Sequence, residues 1–404
     1  MTLQGIDFLP PQVTLENALD LYKSVAEINS LIGALNTQIN HSLVSTQMIQ
    51  LLTLSESVQS TRIEGTQVTF LDIIEETPNE QKSTEVTEVL NYKDALDYGV
   101  MQIKNGNPIT TRLIHELHKI LMGRNTRGTT VSSGEFRKIQ NFIGPSSNIK
   151  DAVYIPVPAH EIDDYMTNWE HYINRVKHPS FNQVLKEGHT LLDEQSDPLI
   201  KTAIMHAQFE SIHPYLDGNG RLGRILIVLN MMAESAVNAP IFFVSEELER
   251  ERLRYYNLLN SVRGSHADWY KWIHFYLRAC QRMILNLQTK LENIETLAKE
   301  GLKKINQAAG SKIMDVWFYT FTTPNVTVKY AAKSLNMSEN TARMHLNTLV
   351  ELGMIDVDHA RKRNKVYVNY VESLTSLPGS FLIMSTKKRP GNTTEPGSTT
   401  LIIS

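Results

Sequence analysis

The stretch HPYLDGNGRLGR, His213 to Arg224, sets an imidazole, a carboxylate, an asparagine, three glycines and two guanidinium groups within a single short segment. Gly218, Gly220 and Gly223 lack Cβ atoms, so the backbone there can turn successive N–H groups toward one anion. Arg221 and Arg224 stand three residues apart, which on a helix lets both cations lean over the same anion. His213 is the type of base that takes a proton from a hydroxyl near neutral pH. Asp217 is the type of ligand that shares Mg²⁺ or Mn²⁺ with bound phosphates. Taken singly, each has an ordinary reading: a solvated histidine, an Asp-Gly turn, a charged helix start. Together they read as a phosphate cradle with a base beside it.

The elements around the segment decide what kind of cradle it is. The glycines satisfy G-x-G-x-x-G, but a dinucleotide fingerprint needs a strand before them. The preceding LIKTAIMHAQFESI instead repeats Ile200, Ala203, Ile204, Ala207 and Ser211 at helical spacing after Pro198, with Met205, Phe209 and Ile212 on a second side. The following ILIVLNMMAESA is apolar nearly all round, as a second buried helix would be. The motif is therefore expected to join two helices, with the anion at the N-terminus of the second.

The segment resembles the signature of the Fic family, HPFx[DE]GNGRxxR, at His213, Pro214, Asp217, Gly218, Asn219, Gly220, Arg221 and Arg224, with Tyr215 in place of the usual phenylalanine. The resemblance implies a mainly α fold: a Fic-type helical core with a short β-hairpin flap. It implies a protein adenylyltransferase, moving AMP from ATP to a Ser, Thr or Tyr hydroxyl of a target protein and releasing diphosphate. His213 would be the catalytic base and Asp217 the metal ligand. Gly218, Asn219, Gly220, Arg221, Leu222, Gly223 and Arg224 would bind ATP, through amides from Gly218 to Gly220, the Asn219 side chain, and the two arginines on the outer phosphates. Related Doc-type kinases carry lysine where Gly220 stands, so Gly220 argues for a diphosphate lying over the loop.

Three further segments extend the resemblance over most of the chain. In SVQSTRIEGTQVTFLDI, Ser60, Glu64 and Gly65 match the [ST]xxxE[GN] pattern of the family's inhibitory helix, although alone they describe a common helix end with glycine at C′. Glu64 is expected to form a bidentate pair with Arg224 and so deny that arginine to a γ-phosphate. In GEFRKIQNFIGPSSNIKDAVYIPVPAHEID, Phe142 and Ile143, then Val153 to Ile155, read as extended segments around a turn. The resemblance makes them the flap on which the target backbone docks by strand addition. In the closing helices, Tyr255 matches the position that contacts the adenine end of ATP, with core packing as the alternative. His115 and His118 read as helix packing, since no third metal-ligand pattern accompanies them.

After a polar helical linker, roughly Gln288 to Ala309, a second unit begins. Ala331, Ala332 and Leu335 would face inward from one helix; after a turn at Asn336 and Met337, Ser338 would cap a second holding Ala342, Leu346 and Leu349 inward, ended by Gly353. IDVDHARKRNKVYVNY then alternates about a basic tip, Arg361, Lys362, Arg363 and Lys365. This resembles a winged helix-turn-helix, with Glu339, Asn340, Arg343, His345 and Asn347 as groove-facing candidates. Docking to protein or dimerisation fits the same pattern. The expected organisation is a helical region with the inhibitory motif over 1–100, a Fic core over 101–285, a helical linker over 286–310, a winged-helix domain over 311–375 and a flexible tail over 376–404.

The composition sets limits on partners. Lys and Arg number 40 against 43 Asp and Glu, a formal charge of −3, so no global basic field points to nucleic acid or membrane. The one cysteine, Cys280, excludes an internal disulfide and fits a reducing compartment. With no apolar run long enough for a membrane helix and no signal-like start, a cytoplasmic protein is expected. G-x-x-x-x-G-K-[ST], H-E-x-x-H and G-x-S-x-G are all absent. The expected partners are ATP, a hydroxyl-bearing protein on the flap, DNA if the winged unit reads it, and a second copy if the chain dimerises. The rival readings are a nucleotide-sensing module of a DNA-binding regulator and an enzyme that removes AMP or transfers another phosphate-linked group.

Overall fold

The computed structural model describes residues 2–74, 83–123, 133–146, 148–178, 181, 184–308, 312–323, 325–357 and 365–369. Thr14 accepts the N–H of Asn17 at 3.2 Å and opens helix α1 (Leu15–His41). Its Leu21, Val25, Ile28, Ile32, Leu35 and Ile39 keep helical spacing and bury one stripe against the long helix α11 (Trp269–Ala308). Next comes α2 (Ser45–Ile63), which ends where the pattern puts it: Glu64 is its C-cap and Gly65 follows at φ +96°. The short α3 (Phe70–Ile74) precedes the packed pair α4 (Thr84–Lys104) and α5 (Thr111–Leu121), and α6 (Ile162–Ile173) follows further on.

At the centre stands α7 (Pro198–Ile212). Asp197 accepts the N–H of Leu199 at 2.9 Å, and Pro198 occupies the first turn, where its missing N–H costs nothing. Every residue from Leu199 to Ile212 is buried, and α6, α8 (Asn219–Ala233) and α11 pack around it. The motif thus joins two helices buried on all sides, as expected. Within this core the Trp169 and Trp272 indoles donate to the carbonyls of Met205 and Ala203 at 2.9 and 2.8 Å. Two short helices, α9 (Ser245–Arg250) and α10 (Arg252–Ser261), lead into α11.

The expected helical linker over 286–310 is helical as far as Ala308, as an unbroken continuation of α11, and Leu287, Leu291, Ile294, Ala298 and Ile305 carry the buried stripe of that helix past residue 285. The flap hairpin is reduced to one antiparallel bridge, Ile143 to Tyr154. Its second segment, β3 (Tyr154–Ile155), pairs in parallel on its other edge with β1 (Leu3–Gln4), a partner too distant in sequence for a local turn rule to find. A further two-stranded sheet pairs β2 (Gln12–Thr14) with β4 (His189–Leu191).

Beyond α11, Trp317 of α12 (Lys312–Thr322) lies against Gly301, where a Cβ would meet its ring at 2.6 Å. Then come β5 (Asn325–Thr327), α13 (Val328–Ser334) and α14 (Glu339–Glu351), with Ser338 capping α14 through the N–H of Thr341 at 3.1 Å. Ala331, Ala332, Ala342, Leu346 and Leu349 are buried as expected, while Leu335 is half-buried. β6 (Asp356–Val357) and β7 (Val366–Val368) pair antiparallel, and β5 adds to β7, giving the order β5-β7-β6. Arg361, Lys362 and Arg363 and the tail over 376–404 lie outside the described residues. α12 also packs against α2. Among the described residues no helix is long and apolar enough to cross a membrane.

Candidate active site

His213 closes α7. Its N–H donates to the Phe209 carbonyl at 3.0 Å, and its backbone then turns left-handed, φ 50° and ψ 59°, a conformation rare outside glycine and typical of sites where geometry is imposed. Burial, followed by the cations Arg263 and Arg137, holds the imidazole far below its usual range, at about 3. The ring is therefore neutral at physiological pH, able to accept a proton. Its Nδ1 has no partner among the described residues.

The loop after it is held from α5 and from within. Tyr215, the departure from phenylalanine, places its hydroxyl 2.8 Å from His115 Nδ1 and stacks on the His118 ring at 3.8 Å. His118 accepts the Gly134 N–H at 2.8 Å, so its Nε2, 3.1 Å from the Asp217 carbonyl, carries the proton it donates there. Burial lowers its pKa to about 4 and keeps this neutral form. Both histidines thus pack the motif loop, consistent with their reading as packing residues. Gly218 takes φ +79° at the N-cap of α8, where a Cβ would also meet Met122 Sδ at 2.8 Å.

The site residues separate into those open to a ligand and those already engaged. Arg221 is buried, and its Nε has no partner among the described residues. Arg224 is engaged through two of its nitrogens: Nε donates to Ser60 Oγ at 2.7 Å, and Nη2 donates to Ser60 O at 2.9 Å and Glu64 Oε1 at 2.7 Å. The expected bidentate pair is thus a single contact, with Ser60 taking Nε and sharing Nη2 with Glu64. Burial alone would raise the Glu64 carboxyl, but Arg224, helped by Arg221 and His213, outweighs it and holds the pKa low. The cation end of Arg224 is 1% exposed against 36% for Glu64, so the carboxylate is the partner with freedom to leave.

Other residues of the motif serve the scaffold. Asn219 spends its amide on Tyr215, accepting from its N–H and donating to its carbonyl, both at 2.9 Å; the side chain is not free for phosphate. Leu222 is buried in the core, and a Cβ on Gly223 would meet Glu210 Oε1 at 2.5 Å, so both take part in the α7–α8 contact. Tyr255 is 1% exposed with its hydroxyl 2.9 Å from His206 Nε2, the packed alternative; Tyr256 reaches the Ile63 carbonyl at 3.5 Å, beside Glu64. At Gly220 the room left by the missing Cβ is filled by Glu64, whose Oε1 lies 2.3 Å from where that atom would stand.

Asp217 is half exposed and gives Oδ1 to the Gly218 N–H at 2.6 Å and to Arg221 Nη2 at 3.4 Å. Among the described residues there is no cluster of three potential metal ligands. A divalent ion here would take one protein carboxylate and complete its shell with phosphate and water, the arrangement Mg²⁺ favours. The residues therefore fit such an ion.

Sequence reasoning missed three groups at the site. Arg137 and Arg263 cap the C-terminal end of α7, and Glu56, two turns before Glu64, is buried and accepts from Tyr92 at 3.1 Å and from Ser245. The G-E-F-R run before the flap was visible, but nothing in it signals a contact with His213.

The fold and site define a mostly helical protein with a glycine-rich loop between two buried helices. The Fic/DOC family model matches residues 108–231 and the Fic/DOC family N-terminal model residues 22–101, together about half of the sequence, and the chain belongs to that family. It is 25% identical over 175 residues to the protein adenylyltransferase Fic of Drosophila grimshawi, covering 43% of this chain and 30% of that protein. To the protein of the same name from Drosophila erecta it is 26% identical over 246 residues, 58% of this chain and 43% of the relative. The chain thus spans less than half the length of the curated relatives it matches. The crystal structure of a Fic family protein from Desulfovibrio desulfuricans G20 superposes with a TM-score of 0.53 at 19% identity, over 90% of this chain and 98% of that one, a likeness of fold.

Proposed function

We propose that the protein transfers AMP from ATP to a hydroxyl of a target protein and that Glu64 restrains it. One observation carries this reading: at the start of α8, beside a neutral His213, one buried arginine has an unpaired donor and the other is held by a partly exposed carboxylate. Neutral His213 accepts the proton of the target hydroxyl as its oxygen bonds to the α-phosphorus; the bond from that phosphorus to the bridging oxygen breaks, and diphosphate leaves. Amides at the N-terminus of α8 and Arg221 stabilise the charge that develops on the phosphate oxygens. Entering phosphate charge also raises the His213 pKa toward the range a base needs. A divalent ion bound through Asp217 would supply charge neutralisation on the phosphates.

Restraint follows from one cation serving two anions. With Glu64 on Arg224, the γ-phosphate loses its arginine, and a phosphate chain settled elsewhere is out of line with the attacking oxygen. A docking target meets a second constraint: Tyr154 bridges Ile143 on one side, and Tyr154 and Ile155 pair with β1 on the other, so an added strand must use the outer edge of the Ile143 segment or displace β1.

We further read residues 311–369 as a winged-helix unit. Asn340 and Arg343 are exposed on α14 and His345 is half-exposed, which suits a groove-facing helix; Asn347 accepts the Tyr367 hydroxyl at 2.7 Å and is less available. Duplex binding by the full chain that weakens with salt supports the DNA reading, and binding absent at low salt leaves protein docking.

The test of the central reading is incubation with ATP labelled at the α- or the γ-phosphate, followed by mass spectrometry of the proteins. AMP transfer predicts α-label alone on protein. Transfer of γ-label would reverse the nucleotide and overturn the reading.

A further inference from the structure

Arg137 has no chemical step in the proposed reaction, yet it is 3% exposed, and among the described residues all its side-chain partners are backbone carbonyls. Nε donates to His213 O at 3.0 Å, Nη1 to Ile139 O at 3.1 Å, and Nη2 to Val157 O and, at 3.5 Å, to Ile212 O. Its own N–H donates to Pro214 O at 2.8 Å. One residue therefore reads three consecutive carbonyls, those of Ile212, His213 and Pro214.

Two physical facts make this more than a buried contact. The last carbonyls of a helix lack intrahelical donors and carry the negative end of its dipole, so a cation there is favoured. And His213 sits in a left-handed conformation that an L residue holds only when its surroundings impose it. The remaining partners, Ile139 and Val157, bracket the flap segment that contains Ile143 and Tyr154. The planar fork of arginine satisfies this geometry; the point charge of lysine cannot reach all of these carbonyls at once.

We propose that Arg137 is a positioning residue, fixing the backbone of His213 and tying it to both ends of the flap, so that the base and a docked hydroxyl share one frame. The inference rests on the AMP-transfer reading for its kinetic test. Arg137 touches no reacting atom; it acts through His213.

The experiment compares Arg137→Lys and Arg137→Met in the full chain carrying Glu64→Gly, measuring the dissociation constant of ATP, kcat, the pH profile of transfer, and folding by circular dichroism. Arg137→Lys should fold, bind ATP as the parent does and lose kcat on the order of 10²-fold, the scale of a small misplacement of a reacting group. Arg137→Met should lose kcat as well and also move the acid limb of the profile upward. After burial and Arg263, Arg137 is the next influence lowering the His213 pKa, opposed by the nearby Glu210 backbone and, where present, by Glu64. The lysine keeps that charge and should leave the limb in place.

An unchanged kcat in folded Arg137→Lys overturns the proposal. So does a loss of ATP affinity that matches the loss of kcat, because that marks general damage to the site. If Glu64→Gly itself transfers nothing, the AMP-transfer reading has failed on its own. The positioning claim is then decided by the imidazole resonances of His213 in NMR spectra: Arg137→Lys shifts them if the claim holds, and leaves them unmoved if it does not.

Discussion

The helices α7 and α2 both supply groups to the site, but they are held in place by different forces. α7 is buried on every side, and its contact with α8 is close enough that Gly223 admits no Cβ beside Glu210. Such packing is rigid, since an interior at crystal-like density has no slack to lend. α2 buries Met48, Leu51, Val58 and Ile63, but also Thr53, Glu56, Ser57, Gln59, Ser60 and Thr61. Its hold on the site is polar: Ser60 and Glu64 on Arg224, Glu56 on Tyr92 and Ser245. Hydrogen bonds can be exchanged for other hydrogen bonds at little net cost, whereas apolar packing has to be broken first. A fixed scaffold and an exchangeable arm follow from that difference.

The largest expected effect falls on the scaffold side. His213→Ala should lower transfer by roughly 10²–10⁴-fold, the usual contribution of a general base, while ATP binding persists because the imidazole faces the hydroxyl and not the phosphates. Equal loss of ATP binding, by calorimetry, would move His213 from base to ligand.

A matched pair of glycines sharpens the comparison. Gly220→Ala and Gly223→Ala each drive a methyl into a glutamate, Glu64 at 2.3 Å in one case and Glu210 at 2.5 Å in the other. Glu64 is 36% exposed and can swing aside; Glu210 is buried under α8 and cannot. Gly223→Ala should therefore cost about 1–3 kcal/mol in urea unfolding, the range for overpacked cores, and Gly220→Ala clearly less. Equal costs would mean that Glu64 is as fixed as the core.

A smaller effect is the pH dependence contributed by the arm. Burial raises the Glu56 pKa to about 7, against the pull of Ser245, Tyr92 and Arg224. A carboxyl whose folded pKa lies above its unfolded value stabilises the fold fully at acidic pH, and that stabilisation is lost as pH climbs from about 4.5 to about 7. Glu210, also raised to about 7 by burial, adds the same sign from the scaffold side. Glu56→Gln should flatten part of the decline in thermal stability across that window and leave the part due to Glu210. A slope identical to the parent's would show that Glu56 does not titrate there.

What was legible in the sequence follows the range of the interactions. The motif loop is readable because its residues are contiguous and the periodicity of the flanking helices is unambiguous. The end of α2 is readable because Glu64 and Gly65 form a local C-terminal pattern. The Ser60 contact with Arg224, the Arg137 cap on α7 and the pairing of β1 with β3 join residues more than 70 positions apart, through residue types that look ordinary where they stand. Asn219 and Gly223 show the same limit from the other side: within a phosphate-like motif they suggest ligand contact, and the sequence does not reveal that one also staples the loop and the other also lets two helices touch.

The central claim is that Glu64 and a nucleotide phosphate compete for Arg224, and the most direct measurement is the rate of α-label transfer by wild type, Glu64→Gly, Glu64→Asp and Glu64→Gly with Arg224→Ala. The account predicts that Glu64→Gly exceeds wild type by on the order of 10- to 100-fold, as alignment of the α-phosphorus is restored. Glu64→Asp, one methylene shorter, should fall between them, and removing Arg224 should cancel the gain. A Glu64→Gly protein no faster than wild type, or one whose gain survives the loss of Arg224, would contradict the account.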